Sequence, residues 1–129
     1  MKKLFALLIL LAGFGLAAAA WRDEPKGPRL VHNVFFSLKD NSAEAKAKFI
    51  AACKRHLEKD PGAQFFAVGG LAEELKREMN DRDFDVALLL VFKSKAAHDA
   101  YQTSAPHQAF IAECVPNVKK VRVFDSWGE

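Results

Sequence analysis

Cysteine, tyrosine and tryptophan are scarce in this chain, with two, one and two residues among 129. Two cysteines are too few for a disulfide-dense scaffold. Neither Cys-x-x-Cys nor His-Glu-x-x-His occurs. Cys53 and His56 stand at i, i+3 but make only two ligands, so no metal site is expected. Gly-x-Gly-x-x-Gly and Gly-x-x-x-x-Gly-Lys are also absent, and Val68-Gly69-Gly70 is not a phosphate loop. No haem, flavin, nicotinamide or nucleotide motif is present, so no cofactor is expected. Neither sign of charge dominates: 19 basic residues face 16 acidic ones, a net charge of +3. No Lys/Arg stripe forms, which removes nucleic acid from the expected partners. There are no internal repeats.

One long apolar run is present. Met1-Lys2-Lys3 is a basic start, Leu4 to Ala20 is uninterruptedly apolar, and Ala18-Ala19-Ala20 offers the small residues that a signal peptidase needs. Together these read as a secretory signal peptide over residues 1–20. The alternative, an uncleaved anchor, is disfavoured because the run is shorter than the roughly 20 residues that span hydrocarbon. A secreted or periplasmic location is expected, with no membrane association after cleavage. Loss of Lys2 and Lys3 leaves 17 basic against 16 acidic residues, a net of +1. Trp21 to Arg29, with two prolines and a glycine, reads as a linker. In an oxidising compartment Cys53 and Cys114 could pair. Their apolar helical neighbours favour buried free thiols instead.

Residues 30–126 then read as one domain. Arg29–Leu38 is a strand whose alternating sets, Leu30/His32/Val34/Phe36/Leu38 and Val31/Asn33/Phe35/Ser37, both carry large apolar groups. A helix follows to about Lys59, capped by Asn41 with Glu44 or by Ser42, with Ala45, Phe49, Ala52, Cys53, His56 and Leu57 on its apolar face. Asp60-Pro61-Gly62 stops it. Ala63–Gly69 is a second strand, and 70–82 is either a helical turn or two or a long ordered loop. Asp83–Phe92 is a third strand, again apolar on both faces. Ser94 caps a helix to about Gln102, Pro106 starts another that ends near Val115, and Val118–Ser126 is the last strand. The order β-α-β-β-α-β predicts an α+β, ferredoxin-like domain with a four-stranded antiparallel sheet and helices on one face.

Helices on one face leave the other apolar face bare, and a small monomer should not expose it. A second copy packed sheet against sheet, a homodimeric barrel with an isologous contact, is the expected cover.

Two residues stand out at the helix junction Tyr101-Gln-Thr-Ser-Ala-Pro-His107. His107 falls in the first turn of a helix, where the dipole disfavours imidazolium and keeps a base neutral. Tyr101 could donate to an enolate or carbonyl oxygen. The competing reading gives His107 a local turn-shaping role and makes Tyr101 core. His32, on the face of Val34 and Phe36, reads as a buried histidine paired across the sheet, and Asn33 as a polar group lining the barrel. Asp85 could orient a histidine or serve structure. His98 reads as surface and His56 as the edge of its helix's apolar face. Phe35, Phe36, Phe65, Phe66, Phe84 and Phe92 supply apolar walls for a small apolar or aromatic ligand.

Five segments in order, Val31–Asp40, Asp60–Gly69, Asp83–Phe92, Ala100–Ile111 and Val121–Ser126, resemble the stress-responsive A/B barrel family over about Leu30–Ser126. The resemblance implies a dimeric α/β barrel. It does not fix a function, because the wider group includes monooxygenases, muconolactone isomerases and polyketide cyclases. In cyclase members a histidine of the junction is the base and a tyrosine six residues earlier assists. By that likeness His107 and Tyr101 take those roles and His32 is the first-strand histidine. The chain departs in having Ser104 where cyclases carry a further histidine, and a proline directly before His107. Three functions therefore stand in order, the first two being a barrel protein binding a small apolar or aromatic molecule and a cofactor-free cyclase, isomerase or lyase acting next to a carbonyl. A purely structural dimer is the third.

Overall fold

The computed structural model describes residues 27–129. The signal-peptide reading and all but the end of the linker lie outside the described residues. The elements are β1 (Arg29–Leu38), α1 (Ala43–Leu57), β2 (Ala63–Gly70), β3 (Val86–Phe92), α2 (Lys95–Gln102), α3 (Ala105–Cys114), a 3₁₀ turn (Val115–Asn117) and β4 (Val118–Gly128). The strands form one antiparallel sheet in the order β2-β3-β1-β4. This is the expected α+β, ferredoxin-like arrangement.

The alternation in β1 sets the layers. Leu30, His32, Val34, Phe36 and Leu38 are all buried, while the intervening residues are only half-buried. The same holds for Val86, Leu88, Leu90 and Phe92 of β3. Against this face α1 places Phe49, Ala52, Cys53 and Leu57, at the i, i+3, i+4, i+8 spacing of one helical stripe. Phe36, Phe49 and Phe110 meet as a triad with ring centroids 4.9, 6.2 and 5.8 Å apart. The two cysteines are free and buried.

Caps explain the helix starts. The Ser42 hydroxyl accepts from the Ala45 N–H, Ser94 from Ala97 and Ser104 from His107. Ser42, not an Asn41–Glu44 box, is therefore the first cap, and Glu44 instead pairs with Lys48 one turn on. Gly62 is required in the turn that leads into β2, because a Cβ there would stand 2.8 Å from that of Ala97 in α2.

The bounds of α1, β3 and β4 differ from expectation, and the open choice at 70–82 falls to the loop. The helix α1 ends at Leu57. The segment 71–85 is an ordered loop without helix. Arg82 holds it by donating to the Glu73 and Leu75 carbonyls, and Asp81 and Asp83 pair with Arg122 and Lys120 of β4. The strand β3 starts at Val86 rather than Asp83, because the loop still occupies 83–85, and β4 runs on to Gly128. The six phenylalanines do not line one space. Phe36 and Phe92 belong to the core, Phe66 packs against it, and Phe35 meets Phe84 on the open face.

Candidate functional site

A cavity of about 200 Å³ lies between the covered sheet face and the α2–α3 junction. Its walls are apolar: Val34, Phe36, Phe110, Ile111 and Val118 take part. Three polar rings also reach it, from His32, Tyr101 and His107. It opens between Val115, Val121 and Val123, each about half exposed at 51, 52 and 48%. A larger groove of about 880 Å³ runs past Arg55, Lys59, Lys93 and Pro106; it shares Tyr101 but contains neither His32 nor His107.

Ser104 is what brings Tyr101 and His107 together. Its backbone N–H bonds the Tyr101 carbonyl and closes α2, while its hydroxyl caps α3. The chain turns within three residues, and the two rings end 4.5 Å apart. Nδ1 of His107 lies 3.0 Å from the Gln102 carbonyl oxygen. A carbonyl can only accept, so Nδ1 carries the proton and Nε2 keeps its lone pair. Burial pushes the His107 pKa down, outweighing the Gln102 hydrogen bond, so the ring is neutral near neutral pH. Tyr101 is 2% exposed and its hydroxyl makes no hydrogen bond among the described residues, yet no buried polar side-chain atom there is orphaned. The hydroxyl therefore keeps access to one of the two spaces that Tyr101 lines. Burial raises its pKa, so it remains a donor.

His32 pairs across the sheet as expected. It opposes Asp125 in the β1–β4 register, and its Nδ1 donates to Asp125 Oδ1 over 2.6 Å. Burial lowers the His32 pKa more than Asp125 raises it, so the contact joins a neutral imidazole to a carboxylate.

The other candidates are placed elsewhere. Asn33 faces the open side and donates weakly to the Phe124 carbonyl at 3.4 Å. Asp85 orients no histidine: its carboxylate accepts the Leu38 N–H at 2.7 Å and its own N–H bonds the Phe36 carbonyl. It closes the end of the β1–β3 pairing. Phe36 lines the cavity and is also core. His56 sits at a stripe edge, bonded to Glu113 at 2.7 Å.

His98 corrects the surface reading. Its side chain is only 14% exposed, and its ring lies 5.0 Å from that of His32. The available signal was its i, i+3 relation to the buried Tyr101 on one helix. Asp125 was missed too, although it interrupts the alternating Val121, Val123 set of β4.

Residues 30–127 match the family model for the stress responsive A/B barrel domain. Among solved structures, a dimeric ferredoxin-like protein of unknown function from Thermobifida fusca YX superposes with a TM-score of 0.65 at 18% identity, covering 78% of this chain and 92% of that one. A family protein with a ferredoxin-like fold from Mesorhizobium loti gives 0.64 at 24% identity, covering 78% and 96%. The hydroxynitrile lyase of Passiflora edulis gives 0.64 at 23%, covering 78% and 94%. At these identities the structures speak for the fold alone. No curated protein matches by sequence. With the family match extending from β1 to the end of β4, the chain belongs to the stress-responsive A/B barrel domain family.

Proposed function

We propose that this chain acts as an exported homodimer that binds a small apolar or aromatic molecule in the cavity bounded by His32, Tyr101 and His107. One observation carries the reading: an apolar space of about 200 Å³ on which three polar rings converge. A dry cavity of about 150 Å³ already holds benzene, so one ring with a short substituent fits this volume. Native mass spectrometry of the purified full-length chain tests it. A bound small molecule should appear on the wild type and be lost from Val123→Trp, which plugs the half-exposed mouth. Equal occupancy of both proteins would remove the cavity from the account.

Export rests on residues 1–20. The dimer rests on the open face, where Phe65 and Phe124 are 53 and 54% exposed beside half-buried Val31, Phe35, Leu89 and Val91. Relatives of this fold described as dimeric support it.

A second reading is favoured by the tautomer of His107. A neutral imidazole with a bare Nε2, beside a protonated phenol, suits proton abstraction next to a carbonyl, with Tyr101 donating to the developing oxyanion. The description of the Passiflora neighbour as a lyase is compatible with such chemistry on this fold. Loss of turnover on an aromatic carbonyl or cyanohydrin substrate in His107→Gln, with ligand binding retained, is the expected result.

A further inference from the structure

The geometry points to a divalent transition-metal site formed by His32, His98 and Asp125. One donor atom from each residue lies within 4.8 Å of the others. They come from three elements, β1, α2 and β4, so the cluster is a product of the tertiary fold and not of local spacing.

Two imidazoles and one carboxylate form a donor set suited to zinc, iron, cobalt or nickel rather than to calcium or magnesium, which prefer all-oxygen shells. On a tetrahedral site with ligand distances of about 2.1 Å, donors stand about 3.4 Å apart. The 2.6 Å His32–Asp125 contact is shorter than this because a proton occupies it. A cation would replace that proton as the shared positive partner, and the proton would move to the other ring nitrogen of His32.

The surroundings favour a formed site. His32 is 5% exposed and cannot swing away. The His98 ring packs edge-on against Phe92, with ring centroids 5.4 Å apart. With Nε2 of His98 as the ligand, its Nδ1–H keeps the Asp99 carboxylate 3.5 Å away as an outer partner, and the Gln102 amide that donates to Nε2 over 3.0 Å gives way to the cation. Such outer partners fix ring orientation at metal centres. The Asp125 side chain is 45% exposed, which leaves a path in from solvent and room for a water or exogenous ligand in the fourth position. His98 and Asp125 do not line the cavity. The site shares only His32 with the proposed ligand pocket and does not rest on that reading.

Titration of the full-length chain with zinc, followed by calorimetry, and with cobalt, followed by visible absorption, tests the assignment. One zinc per chain should bind with micromolar or tighter affinity and raise the Tm. Cobalt should give the intense bands of a low-coordinate site. His98→Gln and Asp125→Asn should each weaken binding at least about tenfold. Asp125→Asn still accepts the His32 hydrogen bond, so the fold is kept while the charge is lost, and the metal-free Tm checks this. His56→Gln should bind as the wild type does. The proposal is overturned if zinc does not bind, or if binding survives both His98→Gln and Asp125→Asn, or if it is lost in His56→Gln.

Discussion

The rings of Tyr101 and His107 lie 4.5 Å apart and 48° tilted, although one projects from α2 and the other from α3. Ser104, ending one helix and capping the next, and the His107 Nδ1–H bond to the Gln102 carbonyl set this distance. The cavity's polar edge is therefore a consequence of how two short helices are punctuated.

Removing the cap should be felt at once. Ser104→Ala deletes the acceptor for the His107 N–H and should cost about 1 kcal/mol. In a domain of this size that lowers Tm by about 4–8 °C. Thermal unfolding at neutral pH measures it, and an unchanged Tm would show that the α2–α3 junction is held by other contacts.

His107 should make stability pH-dependent. Its folded pKa lies below the ordinary 6.5, through burial first and His98 next, with the Gln102 carbonyl and Asp60 opposing. The unfolded ring therefore takes up its proton first as pH falls. The His107 contribution is present above about pH 6.5 and is lost below it. Between about pH 7.5 and about pH 5 the wild type should lose more stability than His107→Gln, because the His32 contribution is common to both. Parallel stability profiles would contradict a buried, neutral His107.

The thiols should be inert. Burial pushes Cys53 up to about 12 and Cys114 up to about 11. Thiolate-directed reagents near neutral pH should label neither in the native protein and both after unfolding. Rapid labelling of the native protein would place the α1–α3 contact wrongly.

Much of the architecture was legible because it rests on local patterns. Alternation in Arg29–Leu38 and Val86–Phe92 marks the two central strands, and Ser42, Ser94 and Pro106 mark the helix starts. What stayed open or escaped was set by long-range contact. The segment 71–85, readable from the sequence as either helix or ordered loop, is a loop because it pairs with Lys120 and Arg122, some forty residues later. It contains the amphipathic positions Leu71, Leu75 and Met79 that suggest a helix, and its tie to β4 delays β3 to Val86. Of the two readings of Asp85, orienting a histidine or serving structure, the structural one holds, because the end of β1 takes its carboxylate for a backbone N–H. At the site, Tyr101 and His107 were found by spacing within one junction. His98 and Asp125 were not, since only the β1–β4 register and the docking of α2 bring them to His32.

The open sheet face should decide the oligomeric state. Leu89 sits mid-strand there, opposite Asn33 of β1 and Ala67 of β2. The wild type should run as a dimer in size-exclusion with light scattering, and Leu89→Asp, which places a charge in the apolar contact, should run as a monomer. A monomeric wild type would contradict the sheet-to-sheet dimer.

The most direct test of the central claim is an amide and methyl NMR titration of the full-length chain with acetophenone, an aromatic ketone of one ring. Binding in the cavity predicts saturable shifts gathered on Tyr101, His107, Phe110, Ile111 and Val123, abolished in Val123→Trp. An absence of saturable shifts, or shifts confined to Phe35, Phe65 and Phe124 on the open face, would contradict it.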